Sequence, residues 1–238
     1  MTTSMRSIAT RLVPPRIKGP LKYHLHPELC DVWGGPFNGQ CFRQLIVTEL
    51  LQRIRFAAIV ETGTFRGTTT LFFARNTRLP IFTVEFDQTS FAFAQRRLRT
   101  HSCVVVERND SRSFLKTLPI ATNDCVFFYL DAHWNADLPL QEETSYIAQR
   151  FDSFVIMVDD FQVPGDAGYA FDDYGSGKQL SLRDFPFHLD AKMHCYFPHC
   201  PSTLESGAKR GCVVLASSSL AKQMAEAGSL MPYPGSQS

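Results

Sequence analysis

Acidic and small residues follow several short apolar segments of this sequence, where the strands of a sheet would end. Residues 61–67, which follow the first segment, read Glu-Thr-Gly-Thr-Phe-Arg-Gly. Gly63 and Gly67 allow the backbone a tight turn and a close approach to a ligand. The segment matches neither the GxGxxG of dinucleotide enzymes nor a phosphate loop. A carboxylate at Glu61 favours a cationic ligand over a pyrophosphate, and a plain strand-to-helix turn is the alternative.

The next two apolar segments also end in polar residues. Glu85 follows the second segment, where a carboxylate can accept hydrogen bonds from both hydroxyls of a ribose. A solvated charge at a strand end is the alternative, but the combination with Glu61 and the two glycines favours the ribose. Asp110 and Ser111 follow the third segment. Asp110 either caps the following helix or contacts an adenine edge together with Ser111, and both interpretations stay open.

Three carboxylates follow the fourth and fifth apolar segments. They are Asp131, Asp159 and Asp160. Like charges on neighbouring strand ends cannot all ionise easily without a cation or shifted pKa values. Hard oxygen ligands grouped in this way suit Mg²⁺. The alternative is that one or two of them cap helices or pair with Arg183 or Lys178.

A regular alternation of strands and helices must position these residues. The pattern predicts strands at 57–60, 81–84, 103–106, 126–130 and 154–158, with helices at 68–75, 90–99, 111–118 and 140–151 between them. Apolar strands separated by helices indicate a parallel sheet that is covered on both faces. Two later β-type segments, 193–197 and 212–216, suit an antiparallel pair at the edge. We therefore predict an α/β fold with a doubly wound, mostly parallel, seven-stranded sheet, which binds ligands beyond the carboxyl ends of its strands.

Composition restricts the classes of protein that the chain can belong to. The 238 residues carry 24 Lys and Arg against 23 Asp and Glu, a net charge of +1. A dominant electrostatic grip on nucleic acid or on an anionic membrane is therefore not expected. No apolar run approaches the roughly 18 residues of a spanning helix. Seven cysteines and no recognisable signal peptide favour reduced thiols and a cytoplasmic location.

The chain is expected to hold one domain with two less regular ends. We predict a basic, proline-containing N-terminal arm at 1–37, a single domain at 38–230 and a flexible tail at 231–238. Pro14 and Pro15 are expected to prevent a helix in the arm.

Taken in order, residues 56–165 resemble a class I S-adenosylmethionine-dependent methyltransferase, which implies a Rossmann-like methyltransferase fold. Residues 60–67 are similar to the first motif of that family, an acid followed by GxxxG. Glu85 resembles the acid that holds the cofactor ribose, and Asp110 with Ser111 falls where the family contacts the adenine. The resemblance implies a set of residues that bind the cofactor: Glu61, Gly63, Thr64, Gly67, Glu85, Asp110, Ser111 and Asp131.

The motif layout is most similar to metal-dependent catechol and macrolide O-methyltransferases. Residues 130–134, Leu-Asp-Ala-His-Trp, resemble the Leu-Asp-His-Trp stretch of the catechol enzymes, and residues 158–165 resemble their Ala-Asp-Asn stretch followed by Pro-Gly. The resemblance implies that Asp131, Asp159 and Asp160 hold Mg²⁺. There are two departures, because Ala132 is an extra residue and Asn135 stands in the place of a lysine base. Asparagine cannot accept a proton at neutral pH, so His133 or a metal-bound substrate oxygen must do that work.

The resulting hypothesis is Mg²⁺-assisted O-methylation of a small-molecule hydroxyl, with Asp131 and His133 as the catalytic residues. A buried structural role for His133 is the alternative at that position. For the whole chain the alternatives are a metal-dependent, hydroxylase-like enzyme on the same fold and a non-catalytic binding module. The expected partner is a small-molecule acceptor, with neither nucleic acid nor membrane involved. The oligomeric state stays open, and a homodimer is one option.

Overall fold

A mixed eight-stranded sheet forms the centre of the molecule. The computed structural model describes residues 13–133, 137–187 and 193–234, so Trp134 and Asn135 lie outside the described residues. The strands are Ala58–Thr62 (β1), Ile81–Val84 (β2), Val104–Glu107 (β3), Cys125–Leu130 (β4), Ser153–Asp159 (β5), Met193–Pro198 (β6), Cys212–Ser217 (β7) and Leu230–Pro232 (β8). Their spatial order is β3-β2-β1-β4-β5-β7-β6-β8. The predicted α/β fold is confirmed, with one strand more than the seven expected.

Helices of the described residues alternate with the first five strands. The helices are Pro15–Leu25 (α1), Cys41–Arg53 (α2), Thr68–Asn76 (α3), Gln88–Leu98 (α4), Ser111–Thr117 (α5), Leu140–Arg150 (α6) and Ala221–Ala225 (α7). Strands β3, β2, β1, β4 and β5 pair in parallel. Both faces of β1, β4 and β5 are almost wholly buried. Their mainly apolar sequences follow from this, because helices cover both faces of such a sheet.

The register of the parallel strands brings their carboxyl ends level. Thr62 at the end of β1 lies opposite Val84 on one side and Leu130 on the other. Leu130 in turn lies opposite Val158. The residues that directly follow these strands therefore share one edge of the sheet, which we call the carboxyl edge.

The second half of the sheet is antiparallel. Strand β7 lies between β5 and β6 and runs opposite to β5, and β8 pairs with the outer side of β6. The expected antiparallel pair is thus present. Met231 and Pro232, which fall in the predicted tail at 231–238, belong to β8.

The N-terminal region contains a helix, contrary to the expectation from Pro14 and Pro15. Pro15 occupies the first position of α1, where its missing N–H costs no hydrogen bond and its fixed φ favours a helix. Gly19 lets α1 approach α4 closely, because a Cβ at Gly19 would collide with the α4 backbone. Tyr23 packs edge-on against Phe93 of α4, with 5.4 Å between the ring centres. The prolines therefore start the helix instead of preventing it.

Two apolar clusters, one on each face of the sheet, make up most of the core. One joins α5 and α6 to the sheet, and the other joins α2, α3 and α7 to it. Phe37, which lies before α2, is buried in the second cluster and packs edge-on against Phe73 and Tyr129. No helix of the described residues is both long enough and apolar enough to cross a membrane.

Candidate cofactor and metal site

Glu61 is buried at the carboxyl end of β1. Thr70 of α3 and Thr83 of β2 both donate hydroxyl hydrogen bonds to its Oε2 atom, the second at 2.7 Å. Burial raises the pKa of Glu61 to about 7, and the two threonines only partly oppose this rise. The carboxylate of Glu61 is therefore already held by two protein hydroxyls at the end of the first strand.

The turn after β1 depends on its two glycines. Gly63 has φ +83°, and a Cβ there would collide with the carbonyl oxygen of Asp131. Gly67 has φ +72° and precedes α3, and a Cβ there would press on Leu98. The backbone N–H groups of Gly63 and Thr64 both donate to the carbonyl of Val84, each at 3.0 Å. Close packing against Asp131 at Gly63 and against Leu98 of α4 at Gly67 thus accounts for both glycines without a ligand.

Glu85 joins this turn to the end of β2. Its Oε2 accepts a 2.6 Å hydrogen bond from the backbone N–H of Phe65, and its Oε1 accepts one from Asp87 at 2.8 Å. Burial raises the pKa of Glu85. The turn that carries Gly63 is therefore fixed to Glu85, as expected if the two form one binding surface.

Of the two roles considered for Asp110, helix cap and adenine contact, the structure shows the cap. Asp110 caps α5 by accepting hydrogen bonds from the backbone N–H groups of Arg112 at 3.0 Å and Ser113 at 3.4 Å. The Arg112 guanidinium also binds its carboxylate, at 2.7 Å. Ser111 is buried at the first position of α5. The adenine contact stays a prediction for both residues.

A second buried carboxylate, Glu143 of α6, was not expected at this edge. Its side chain is 2% exposed, and burial raises its pKa to about 7. The hydroxyls of Ser111 and Thr62 lie near enough to the Glu143 carboxyl to oppose this rise, yet Oε1 of Glu143 and Oγ1 of Thr62 each lack a hydrogen bond of good geometry among the described residues. Nothing in the sequence indicated a role for Glu143, because it lies in the first turn of α6, where acidic residues are common.

Asp159 is held by protein groups and lies in a buried ion pair. Arg43 of α2 donates to its Oδ1, which also accepts the backbone N–H of Asp160 at 2.9 Å. The Tyr129 hydroxyl donates to its Oδ2 at 2.5 Å. Burial acts to raise the pKa of Asp159, but Arg43 and the hydrogen bonds from Tyr129 and the backbone of Asp160 together outweigh it and keep the pKa below the ordinary value. Both oxygens of this predicted Mg²⁺ ligand are therefore already occupied.

Asp160 differs from Asp159 in geometry and partners. It has φ +54°, an unusual backbone conformation for a residue with a side chain. Arg210 donates to its Oδ1 at 2.7 Å and also binds Asp172. Burial and the neighbouring Asp159 raise the pKa of Asp160 despite Arg210.

Asp131 and His133 face Asp160 from the segment after β4. Single ligand atoms of Asp131, His133 and Asp160 all lie within 4.8 Å of one another, and Nε2 of His133 is 3.9 Å from Oδ1 of Asp131. His133 is 4% exposed, and its Nε2 is buried without a hydrogen-bond partner among the described residues. Burial lowers the pKa of His133, while burial and the surrounding carboxylates raise that of Asp131. The three side chains that meet here are thus not the three aspartates that were predicted as metal ligands.

Asp172 and Tyr174, in the loop that follows β5, contact Asp160 and His133 of this group. The Tyr174 hydroxyl lies 3.0 Å from the carbonyl oxygen of His133 and 2.5 Å from Oδ2 of Asp172. The backbone N–H of Asp172 donates to the carbonyl of Asp160 at 2.9 Å. Phe161, which directly follows Asp160, is fully buried and packs against Phe187.

Sequence reasoning missed the two arginines that neutralise the acidic group. Arg43 lies on α2, and its side chain is 1% exposed. The expected partners were Arg183 and Lys178, and Arg183 pairs with Asp184 instead. Arg210 lies just before β7, and no local pattern connects it to Asp160. A long-range pairing of this kind leaves no signal in sequence spacing.

The fold is shared with methyltransferases of known structure. No protein-family model matches the chain, and no curated protein matches its sequence. A protein from Staphylococcus aureus assigned as a caffeoyl-CoA O-methyltransferase is 13% identical, with 74% of this chain and 82% of that chain covered and a TM-score of 0.54. A protein from Klebsiella pneumoniae assigned as an O-methyltransferase is 17% identical, with 89% of this chain and 94% of that chain covered and a TM-score of 0.52. The O-methyltransferase TomG from Streptomyces achromogenes, in complex with S-adenosylmethionine, is 21% identical, with 74% of this chain and 79% of that chain covered and a TM-score of 0.50. The chain therefore has the Rossmann-like fold of class I S-adenosylmethionine-dependent O-methyltransferases.

Proposed function

We propose that this protein is an S-adenosylmethionine-dependent methyltransferase that methylates a hydroxyl group of a small molecule with the help of a divalent cation. One observation carries the proposal. Because the strand ends are level, Glu61, Glu85 and Asp131 lie together at the carboxyl edge. They lie at the carboxyl ends of β1, β2 and β4, the positions that the family resemblance gives to its cofactor-binding acids. Open α/β sheets bind their ligands at this edge.

The residues at this edge fit a cationic cofactor. The sulfonium group is positively charged, and Glu61, Glu85 and Asp131 supply negative charge in a region where burial has already raised their pKa values. A nearby cation favours the ionised form of each carboxylate. The bound cofactor would supply a methyl group that needs no further activation. The protein's task is therefore to hold the acceptor oxygen in line with that methyl group.

The proposed cation has ligands on two neighbouring strand ends. Asp131 and Asp160 each offer a carboxylate oxygen there. The cation would lower the pKa of a substrate hydroxyl and orient it. His133 is buried with its pKa lowered, so its ring is unprotonated at neutral pH. It is thus able to accept a proton or to act as a ligand.

The cofactor half is tested by calorimetric titration of the protein with S-adenosylmethionine. We expect binding in the micromolar range, about −8 kcal/mol. Glu85→Gln should weaken it strongly, because an amide cannot serve as the anionic acceptor for two ribose hydroxyls. Glu226→Gln makes the same change at an exposed carboxylate elsewhere and serves as the matched control. If the wild-type protein does not bind S-adenosylmethionine with or without Mg²⁺, the methyltransferase proposal fails.

A metal-dependent, hydroxylase-like enzyme on the same fold is the second candidate. The meeting of one imidazole and two carboxylates favours it specifically, because such mixed sets also hold redox-active metals. The same titration separates the two candidates, since this alternative predicts metal binding without S-adenosylmethionine binding.

A further inference from the structure

We propose that His133 is a direct metal ligand together with Asp131 and Asp160, and that the site therefore selects Mn²⁺ and later first-row divalent ions over Mg²⁺. The proposal rests on the cation site of the proposed function and names its ligands and its metal class. It does not depend on methyl transfer. Asp159, which the resemblance placed among the ligands, is excluded from the set.

The first argument is the unpartnered nitrogen of His133. A buried polar atom without a partner is costly, so such an atom calls for an explanation. Nε2 of His133 is buried and makes no hydrogen bond among the described residues, yet it points to within 3.9 Å of Oδ1 of Asp131. Two ligand atoms that each lie about 2.1 Å from one ion stand at most about 4.2 Å apart. The Asp131–His133 pair already meets this limit.

The second argument is the state of the two aspartates after β5. Arg43, Tyr129 and the backbone N–H of Asp160 use both oxygens of Asp159. Arg210 donates to Oδ1 of Asp160, whereas Oδ2 of Asp160 accepts no hydrogen bond from any described residue. Asp160 also has a left-handed backbone, with φ +54°, which is the kind of strained conformation that clusters at functional sites.

The third argument concerns metal preference. Mg²⁺ favours oxygen ligands and retains several waters, whereas imidazole nitrogen suits first-row transition ions. Replacement of an Asp159 oxygen by the His133 nitrogen therefore moves the site away from Mg²⁺. Mn²⁺ accepts carboxylates as well as imidazole, which makes it a suitable probe.

The direct test uses electron spin-echo spectroscopy of Mn²⁺ bound to wild-type protein labelled with ¹⁵N-histidine. We expect a hyperfine coupling from one imidazole nitrogen, and this measurement needs no variant that could misfold. Titration with Mn²⁺ and with Mg²⁺ should show tighter binding of Mn²⁺ by at least about tenfold. Loss of a residue that only orients a ligand changes metal affinity about 10- to 100-fold, and a direct nitrogen ligand should matter at least as much.

The variants test whether His133 is the source of the preference. His133→Gln offers a hard amide oxygen of similar reach and should bring the Mn²⁺ and Mg²⁺ affinities close together. His101→Ala removes an imidazole elsewhere and should leave both affinities unchanged. The absence of nitrogen coupling, equal wild-type affinities for the two ions, or an unchanged preference in folded His133→Gln would each overturn the proposal. Mn²⁺ binding with nitrogen coupling but no S-adenosylmethionine binding would keep this inference and reject the proposed function.

Discussion

Arg43 and Asp159 form an ion pair in which each side chain is only 1% exposed, and this pair connects α2 to the end of β5. Arg43 also donates to the carbonyl of Arg210. One buried guanidinium thus joins three distant parts of the chain at the edge where the candidate site lies.

Loss of Arg43 should destabilise the protein strongly, because the Asp159 charge would stay buried without its partner. We expect Arg43→Met to lower the free energy of unfolding by about 3–5 kcal/mol. Addition of Asp159→Asn should recover a large part of that loss. Arg53→Met, which breaks a half-exposed pair with Glu49, should cost only about 0–1 kcal/mol. Urea unfolding gives the free energy of unfolding of the wild type and of the three variants. A loss below about 1 kcal/mol in Arg43→Met would contradict the role of the pair.

Stability should fall with rising pH because of Glu143. Its pKa is raised in the folded state from 4.5 to about 7. The folded protein thus binds a proton that the unfolded chain releases at lower pH, and this contribution is lost as the pH passes through 7. A rise of this size corresponds to about 3 kcal/mol. Unfolding at pH 5 and pH 8 should show the wild type losing about that much relative to Glu143→Gln. Glu142→Gln, an exposed neighbour, should change nothing.

Gly63→Ala should cost more stability than Gly165→Ala, although both glycines have φ near +82°. A Cβ at Gly165 meets open space, so only the backbone conformation matters there, at about 1–2 kcal/mol. A Cβ at Gly63 meets the carbonyl of Asp131, which should add about 1–3 kcal/mol. Thermal unfolding of the two variants provides the comparison. Equal losses would show that β1 and the segment after β4 are not in close contact.

Tyr174→Phe should weaken metal binding with little effect on stability. The Tyr174 hydroxyl bridges the His133 carbonyl and Asp172, so it orients a proposed ligand without binding the metal. We expect a loss of about 10- to 100-fold in Mn²⁺ affinity and of only about 1 kcal/mol in unfolding free energy. Tyr146→Phe, which removes a hydroxyl that bonds Arg150, is the control and should keep full Mn²⁺ affinity. An unchanged affinity in Tyr174→Phe would place the loop outside the metal site.

The strands and helices could be predicted from the sequence because each depends on local apolar periodicity. The segment 81–84 and the start of the helix at Ser111 match the structure. The capping role of Asp110 was also within reach, because a cap acts over two or three residues. The eighth strand was missed because Leu230–Pro232 is short and proline-containing, and only pairing with β6 makes it a strand.

The side-chain arrangement of the site could be predicted only in part. Strand ends placed Asp131, Asp159 and Asp160 at one edge, but the sequence could not show which of them an arginine neutralises. Arg43 and Asp159 are far apart in the sequence, and their pairing depends on how α2 packs against the sheet. The division of the chain into arm, domain and tail stays a prediction.

The position of β7 between β5 and β6 has a consequence for synthesis on the ribosome. A nascent chain that ends before Cys212 already contains all five parallel strands, but β5 still has an unpaired edge. Such an edge is a template for pairing with another chain. Arg210 also emerges only just before β7, so the charges of Asp160 and Asp172 stay uncompensated until then. A nascent chain of this length therefore exposes an unpaired strand edge and an uncompensated acidic edge, and residues 210–217 cover both at once.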